Sequence, residues 1–361
     1  MTQPTPTPTR TPRHLCLLGD ATSPHVQRWA REMLQRGWRV SLITARPAQV
    51  PGVEVRTLRP VRRSIDWLFR VRETQRHVRE LAPDIVHAHY ITSYGYLAAR
   101  CGIHPLVMTA WGTDLLVTPL KSPWMRWITG WTLRQADLIT GDSASLMDAV
   151  AGFGPACPAE EIHWGVDLNR FRPAPWHSKP ATHLVSLRAW EPNYRIATII
   201  DAFARLRAGL QDHDLHLHLL GGGSLEPALR QQVQAAGLQH CVHLHGRLDD
   251  AGMARVLGDC KVSISVPDSD ATSVAVLESM ACGLAVVASD LQANRHWLGA
   301  QWLVPAGDAA ALASTLRALV TDDDTAREAG EHNAARIAQD GDRAIQMNRM
   351  HALYQQLAGA Q

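Results

Sequence analysis

Short apolar runs alternate with segments of helical periodicity along most of this 361-residue chain, and this alternation constrains its fold more than any other feature. In the first half, the apolar runs lie at residues 14–18, 40–44, 84–89, 105–109 and 137–140. A second series lies at residues 183–186, 215–220, 242–245, 262–266 and 285–288. Strands that alternate with helices are typical of parallel sheets covered on both faces. The sequence therefore predicts two doubly wound α/β domains.

Proline spacing and sequence complexity predict where these domains begin and end. Residues 1–12 alternate Pro and Thr, which is typical of a disordered, solvated tail. An aperiodic, proline-bounded stretch at residues 174–180 is the predicted linker. It separates an N-terminal domain of residues 13–173 from a C-terminal domain of residues 181–335. Residues 336–361 are predicted to form a helical segment that packs back on the N-terminal domain.

Cysteine usage and hydropathy exclude several classes of protein. The six cysteines include no Cys-x-x-Cys pair, which argues against a disulfide framework or a zinc ribbon and favours a reducing cytoplasm. No run of about 18 apolar residues is present, so no membrane-spanning helix is expected. The first residues also lack the apolar stretch of a signal peptide.

The net charge of +2 hides a basic first half. A stretch that begins at Arg56 and ends at Arg79 holds eight arginines, and Trp124, Trp127 and Trp131 follow it at helical spacing. Basic amphipathic segments with aromatic edges bind anionic membranes. We expect their apolar sides to pack on the first sheet and the arginines to face lipid headgroups or an anionic acceptor. No nucleic-acid partner is expected, because no such binding motif is present.

The most chemically informative segment follows the fourth apolar run of the second half. A polar loop leads there into a helix that begins near Ser273. Free N–H groups at the start of a helix bind diphosphates. Thr272 and Ser273 can add hydroxyl donors, and with Val274 they are predicted donor-binding residues. Asp270 and Glu278 are spaced to accept hydrogen bonds from sugar hydroxyls. The alternative is an ordinary capped helix with solvated acids.

Further motifs occur along the chain in a fixed order: PDIVHAHY, ADLITGDS, IHWGVDLNRFRP, LGGGS and MACGLAVV. Together with Asp270 and Glu278 they resemble the motifs of family 4 retaining glycosyltransferases over residues 14–320. The resemblance implies the GT-B fold, in which two doubly wound Rossmann-like domains face each other across a cleft. It also implies that the second domain binds a nucleotide sugar and the first binds the acceptor.

The resemblance assigns roles to residues of the second domain at matching motif positions. Glu278 would bind the ribose, Asp270 the sugar hydroxyls, where the family usually has Glu, and Arg188 the leaving diphosphate. These three are the predicted catalytic residues. Apart from the helix N-terminus, the predicted donor-binding residues are Gly222, Gly223, Arg247 and Tyr194. For the two arginines, a surface ion pair is the alternative.

In the first domain the resemblance places the acceptor near the ends of several strands. The predicted acceptor-side residues are Gly19, Asp20, His25, His89, Trp111 and Asp114. Trp111 occupies the position where the family often has histidine, and an indole cannot accept a proton. His89 and Asp114 are the nearest substitutes, and an internally hydrogen-bonded structural histidine is the alternative for His89.

Histidines alternate along two predicted strands of the second domain. His216 and His218 share one strand face, and His243 and His245 share another. If these strands are neighbours, the four imidazoles could converge on a metal. A half-exposed strand near a sheet edge explains the same pattern, and the family requires no metal. The predicted site therefore contains none.

These features predict a metal-independent, retaining glycosyltransferase of the hexosyltransferase type. It would move a sugar from a nucleotide-diphosphate sugar, its co-substrate, to a hydroxyl of a glycan or lipid-linked acceptor, without a cofactor. We expect a role in exopolysaccharide or lipopolysaccharide synthesis and a cytoplasmic location, peripheral on the inner face of the membrane. The alternatives are a non-catalytic nucleotide-sugar-binding partner of another transferase and a GT-B-fold sugar-nucleotide epimerase.

Overall fold

The computed structural model describes residues 13–179, 182–270 and 272–359. The predicted tail of residues 1–12 lies outside the described residues. The chain forms two compact units, one made of Met1–Ile162 with Met347–Gln361 and the other of His163–Gln346. Each unit contains one parallel sheet, which confirms the prediction of two α/β domains.

The first unit has a seven-stranded sheet with strand order β3-β2-β1-β4-β5-β6-β7. Its strands are β1 (His14–Leu18), β2 (Arg39–Thr44), β3 (Glu54–Thr57), β4 (Ile85–His89), β5 (Leu106–Thr109), β6 (Leu138–Gly141) and β7 (Ala159–Glu161). Its helices are α1 (Pro24–Gln35), α2 (Val71–Leu81), α3 (Tyr96–Ala99), α4 (Thr113–Leu116), α5 (Pro123–Leu133) and α6 (Ala144–Ala151). All neighbouring strands pair in parallel.

The second unit has a six-stranded parallel sheet with strand order β10-β9-β8-β11-β12-β13. Its strands are β8 (His183–Ser186), β9 (His216–Leu220), β10 (Val242–Gly246), β11 (Val262–Ser265), β12 (Ala285–Ser289) and β13 (Leu303–Val304). Its helices are α7 (Ile196–Ala208), α8 (Glu226–Ala235), α9 (Asp250–Asp259), α10 (Val274–Ala281), α11 (Gln292–Trp297), α12 (Ala309–Thr321) and α13 (Asp323–Arg336).

The C-terminal region is helical, but capping residues divide it. The Asp308 carboxylate accepts hydrogen bonds from the first N–H groups of α12, and Asp322 caps α13 in the same way. Such caps satisfy donors that have no partner inside the helix. A last helix, α14 (Arg343–Gly359), completes the chain. On α14, the Tyr354 hydroxyl is fully buried in the first unit, where it contacts the Trp29 indole N–H at 3.0 Å.

The boundary between the units falls earlier in the chain than residue 173. Val166 forms a parallel bridge with Asp342, and Phe171 is buried in the apolar core of the second unit. These contacts place residues 163–173 in the second unit. They also explain why the proline-rich stretch alone is a poor guide to the boundary, because the chain joins the second core before it reaches those prolines.

Candidate donor and acceptor sites

Each sheet has one position where the connections leave its strands in opposite directions. In the first sheet this position lies between β1 and β4, and in the second between β8 and β11. Ligands of open α/β sheets bind in the crevice at the carboxyl ends of such strands. The loops that follow these four strands hold many of the residues predicted from the sequence.

In the second unit, the Arg188 guanidinium joins the loops after β8 and β11. Its Nη2 donates a hydrogen bond to Asp270 Oδ2 at 2.6 Å, and its Nη1 donates to Ser273 Oγ. Its Cζ atom lies 4.4 Å from the ring centre of Tyr194, an arrangement typical of a cation–π contact. The structure thus brings together four residues that the sequence analysis assigned to the donor site.

The N-terminus of α10 lies at the same place. Ser273 is its N-cap, and its hydroxyl accepts a hydrogen bond from the Val276 N–H at 3.4 Å. Thr272, Ser273 and Glu278 are all buried, with Glu278 one turn further along the helix. A buried helix start beside an arginine is a favourable environment for a diphosphate, because both carry positive charge.

The glycine loop after β9 packs on the loop that carries Arg188. A Cβ atom at Gly221 would overlap the Arg188 carbonyl, and one at Gly223 would overlap the Trp190 carbonyl. The Trp190 N–H donates to the Gly222 carbonyl at 3.1 Å. Glycines are therefore required here for close approach of two backbones. Whether Gly222 and Gly223 also contact donor phosphates stays a prediction.

Arg247 and a residue missed by the sequence analysis, Glu191, lie beside this loop. The Arg247 side chain is exposed and lies 3.3 Å from the position of a Cβ at Gly222. The Glu191 carboxylate accepts hydrogen bonds from the Ser224 N–H at 2.9 Å and from its hydroxyl at 2.5 Å. These bonds lower the pKa of Glu191, so that it adds a fixed negative charge at the rim. Only the LGGGS motif pointed to this position.

The first unit contains a cavity of about 500 Å³ at the carboxyl ends of its central strands. Its lining comes from the loops after β1, β2, β4 and β5 and from the basic stretch: Asp20, Ser23, Ala45, Arg46, Val61, Arg62, Arg63, Ser64, Trp67, His89, Tyr90, Ser93, Tyr94 and Trp111. A cavity of this size accommodates a small ligand or part of a larger one.

Three of the predicted acceptor-side residues, Asp20, His89 and Trp111, line this cavity. Gly19 and His25 are not among its lining residues; the His25 ring instead packs edge-on against Trp111, with ring centres 5.6 Å apart. Gly19 lies just behind the lining, since a Cβ there would be 3.5 Å from His89 Cβ.

Asp114 holds the loops after β4 and β5 in place through hydrogen bonds to their backbone. Its carboxylate is fully buried and accepts hydrogen bonds from the Ile91 N–H at 2.7 Å and the Trp111 N–H at 3.0 Å. Burial raises its pKa to about 6 despite these bonds. Because it is not among the lining residues and its oxygens hold backbone groups, the structure favours a positioning role over proton transfer from an acceptor.

His89 is buried at the base of the cavity between two indoles. Its ring centre lies 5.1 Å from that of Trp29 and 5.8 Å from that of Trp111. Burial lowers its pKa to about 3, so the imidazole is neutral at neutral pH. A neutral imidazole can donate or accept one hydrogen bond, but such a low pKa makes it a weak base.

Sequence analysis expected arginines of the basic stretch, such as Arg62 and Arg63, to face lipid headgroups or an anionic acceptor, but it did not assign Arg46 or Tyr94 to the acceptor site. Arg46 Nη1 lies 3.3 Å from Asp20 Oδ2, and the Tyr94 hydroxyl accepts a hydrogen bond from the Ala45 N–H. The Trp67 ring packs on Tyr94 with centres 4.9 Å apart. The basic stretch that contains Trp67 was the available signal, but nothing in the sequence showed that it bends over the end of the sheet.

The basic stretch and the tryptophan segment differ in how they pack. A 3₁₀ segment, Ser64–Arg70, precedes α2, and α2 buries Val78 and Leu81 as expected. In α5, however, Trp124 and Trp127 are 63% and 55% exposed and stack on each other with ring centres 5.0 Å apart. The expectation that both apolar sides pack on the sheet is therefore wrong for Trp124 and Trp127, whereas Trp131 of the same helix packs against the apolar core of the first unit.

The large exposed apolar side chains of the first unit lie in or next to these two segments. Ile65, Leu68 and Phe69 are in the basic stretch, Leu116, Val117 and Leu120 precede α5, and Trp124 and Trp127 are in α5. In the described part of the second unit, Ile345 is also exposed. Among the described residues, no helix combines the length and the apolar character needed to cross a bilayer.

Comparison with known proteins identifies the family. Residues 14–143 match the family model described as glycosyl transferase 4-like, and residues 182–322 match the model described as glycosyl transferases group 1. The first match covers β1–β6 of the first sheet, and the second covers all six strands of the second sheet. The chain belongs to the family 4 glycosyltransferases, as its motifs indicated.

Curated relatives match over about half of their length. A phosphatidyl-myo-inositol mannosyltransferase of Mycobacterium leprae is 34% identical over 174 residues, which are 46% of this chain and 45% of that protein. The amylovoran biosynthesis glycosyltransferase AmsK of Erwinia amylovora is 28% identical over 176 residues, 44% of this chain and 42% of its own.

Solved structures confirm the GT-B fold. Sucrose-phosphate synthase from Thermosynechococcus elongatus matches 97% of this chain and all of its own with a TM-score of 0.81 at 17% identity. Alr3699/HepE of Anabaena, solved in complex with UDP and glucose, matches 94% of this chain and 98% of its own with a TM-score of 0.75 at 17% identity.

Proposed function

We propose that this protein is a retaining hexosyltransferase that uses a nucleotide-diphosphate sugar and needs neither metal nor cofactor. The observation that carries the proposal is the Arg188 cluster at the N-terminus of α10, in a chain whose two domains both match glycosyltransferase families. A related fold solved with UDP and glucose supports a nucleotide sugar as donor.

In the proposed reaction, the bond between the anomeric carbon and the diphosphate oxygen breaks while the acceptor oxygen bonds to the same carbon. Negative charge gathers on the departing phosphate, where Arg188 and the N-terminus of α10 stabilise it. The acceptor proton moves to that phosphate oxygen. Attack then comes from the face that the leaving group vacates, which retains the anomeric configuration. Asp270 is ill suited as a covalent nucleophile because it is paired with Arg188.

Glu278 would accept hydrogen bonds from the ribose diol and Arg247 would pack on the nucleobase. Asp270 would contact the sugar hydroxyls once the diphosphate competes for Arg188. Asp is shorter than Glu by about 1.5 Å, the length of one C–C bond, so the sugar must approach this loop closely. These assignments rest on the motif positions and on the burial of Glu278 beside the helix start.

The cavity of the first unit would bind the acceptor, a glycan or a lipid-linked sugar. Arg46, Arg62 and Arg63 on its lining favour an acceptor with an anionic group, and Trp67 offers a stacking surface for a sugar ring. The exposed Trp124 and Trp127 would hold the protein at an anionic membrane, on its cytoplasmic face. The named activities of the curated relatives, on phosphatidylinositol and in polysaccharide biosynthesis, support such acceptors.

The experiment that tests this function is transfer from UDP-, GDP- and ADP-hexoses to a bacterial lipid extract by purified protein, with and without EDTA. We expect one nucleotide class to support transfer, EDTA to leave the rate unchanged, and NMR to show the donor's anomeric configuration in the product. Glu278→Ala should abolish transfer, whereas Glu328→Ala, an exposed glutamate on α13, should not.

The alternatives give different results. A non-catalytic partner would bind a nucleotide without transfer, and an epimerase would convert the donor sugar in the absence of an acceptor. An inverted product would contradict the retaining mechanism while leaving the transferase class intact. Full activity of Glu278→Ala would contradict the assignment of the donor site.

A further inference from the structure

Five histidines lie on one face of the three strands at one edge of the second sheet. His183 is on β8, His216 and His218 are on β9, and His243 and His245 are on β10. The leucines that alternate with them point into the apolar core on the other face. The strand register sets His183 opposite His216 and His218 opposite His243, so the imidazoles form a continuous layer. We call this layer the histidine face.

Ring nitrogens of neighbouring strands point at each other across this face. His216 Nδ1 lies 3.0 Å from His243 Nε2, in rings inclined by 17° with centres 5.2 Å apart. His218 Nδ1 lies 2.8 Å from His245 Nε2, and His218 Nε2 lies 3.1 Å from His183 Nδ1. These separations fit hydrogen bonds between neutral imidazoles, in which one nitrogen of each pair carries a proton and the other a lone pair.

The same separations nearly fit a metal ion. Zinc binds imidazole nitrogen at about 2.0–2.1 Å, which places two nitrogens of a tetrahedral site about 3.3 Å apart. The nitrogens of His216 and His243 need to separate by only a few tenths of an ångström to reach this distance. Because they lie in line with their ring centres, both rings must also turn until their lone pairs meet at one ion. Both side chains are partly exposed, so the rings are free to open around an ion from solvent.

The His216–His243 pair also has a neighbouring carboxylate, a group that commonly orients a metal-binding histidine. His216 Nε2 lies 3.1 Å from Asp214 Oδ1. A proton held on Nε2 by that carboxylate leaves a lone pair on Nδ1, which faces His243. Both nitrogens of His218, in contrast, face other imidazoles, so its pairs have no carboxylate to fix the tautomer.

We propose that the histidine face binds a divalent transition metal such as Zn²⁺, held by His216 Nδ1 and His243 Nε2 and oriented by Asp214, with water completing the coordination. The site is independent of the proposed transfer reaction, since none of its residues is assigned to donor or acceptor.

The test is calorimetric titration of untagged protein with Zn²⁺, supported by the visible absorption of added Co²⁺. Wild type is expected to bind Zn²⁺. His216→Gln and His243→Gln should each reduce the number of bound ions by one, and Asp214→Asn should weaken binding about tenfold. His332→Gln, which removes an exposed histidine on α13, should bind as wild type.

Circular dichroism of each variant separates a lost ligand from a lost fold. If both imidazole variants misfold, Zn²⁺ binding by Asp214→Asn tests the proposal, because the Asp214 side chain is largely exposed and its replacement leaves the strands intact. Absence of Zn²⁺ binding by wild type overturns the proposal. The proposal is also overturned if Asp214→Asn and a folded imidazole variant both bind Zn²⁺ as wild type does.

Discussion

At the scale of single residues, the central feature is that Arg188 is already neutralised. Its guanidinium is buried and lies 2.6 Å from the Asp270 carboxylate, so an incoming diphosphate must compete with a fixed negative charge. In the proposed reaction Asp270 would therefore oppose binding of the nucleoside diphosphate and would also supply contacts with the sugar. Product release would benefit from the same competition, because the carboxylate recovers its partner when the diphosphate leaves.

Asp270→Asn separates these two effects. Removing the negative charge should tighten binding of the nucleoside diphosphate several-fold, while transfer should fall by about 10- to 150-fold, since buried charged contacts are worth about 1.5–3 kcal/mol. Calorimetry with the diphosphate and the transfer assay measure the two quantities on one preparation. Weaker diphosphate binding by this variant would contradict the competition between carboxylate and ligand.

Sequence predicted Arg188, Asp270 and Ser273 individually, because each follows an apolar strand or a recognisable motif. It did not predict that Arg188 and Asp270 pair, since their loops meet only when β8 and β11 become neighbours in the sheet. In the same way, Asp114 was predicted for its carboxylate, but its two backbone hydrogen bonds depend on the conformation of the loop after β4.

At the scale of elements, the start of α10 combines two roles in one hydroxyl. Ser273 caps the helix and accepts a hydrogen bond from Arg188. Ser273→Ala should therefore lower stability by about 1 kcal/mol through the lost cap. It should also weaken nucleotide binding, because the hydroxyl that holds the guanidinium at the helix start is lost while the competing Asp270 carboxylate stays. Chemical denaturation and nucleotide titration measure the two effects.

The matched control is Ser122→Ala at the start of α5. Ser122 is also an N-cap, and its hydroxyl accepts a hydrogen bond from the Met125 N–H at 3.2 Å. This variant should lose similar stability and keep wild-type nucleotide affinity. Equal nucleotide affinity for Ser273→Ala and Ser122→Ala would show that the hydroxyl of Ser273 acts as a cap alone.

The exposed tryptophans of α5 predict membrane binding by that helix. Replacing Trp124 and Trp127 together with Gln should reduce co-sedimentation with vesicles of anionic phosphatidylglycerol and leave the melting temperature nearly unchanged, because neither ring is in the core. Ile345→Gln, an exposed apolar residue of the second unit, should bind vesicles as wild type. Undiminished binding by the tryptophan variant would exclude α5 as the membrane contact.

Elements were predictable where their residues are apolar and numerous. The central strands β1, β4, β8 and β11 are almost wholly buried and alternate apolar residues with His or Ser, and the sequence analysis located all of them. The edge strands β3, β7 and β13 were missed because they are short or polar, as in the Glu-Val-Arg-Thr sequence of β3. These segments form strands because they hydrogen-bond to a neighbouring strand in the sheet. Their own sequence pattern does not show which strand that neighbour is.

At the scale of the whole molecule, buried neutral histidines link stability to pH. Burial lowers the pKa of His89 to about 3, whereas an unfolded histidine titrates near 6.5. The unfolded chain therefore binds the extra proton first as pH falls. The stabilising contribution of neutral His89 is complete above about pH 6.5 and is lost progressively toward pH 3.

Between pH 6.5 and pH 5, His89 alone should cost about 2 kcal/mol of stability. Denaturation curves across this range measure the dependence, and His89→Gln should flatten it by about that amount. His332→Gln, which changes an exposed histidine, should leave the slope unchanged. If His89→Gln leaves the dependence of stability on pH unchanged, the titrating group is another residue.

The most direct measurement of the central claim is the melting temperature of wild type and Arg188→Ala with UDP, GDP, ADP and their hexose conjugates. A nucleotide at 100 times its dissociation constant should stabilise wild type by about 2.7 kcal/mol, a shift of several degrees. We predict such a shift with one base for wild type and for Arg230→Ala, an exposed arginine of α8, but not for Arg188→Ala. No shift with any nucleotide, or an equal shift for Arg188→Ala, would contradict a donor site built around Arg188.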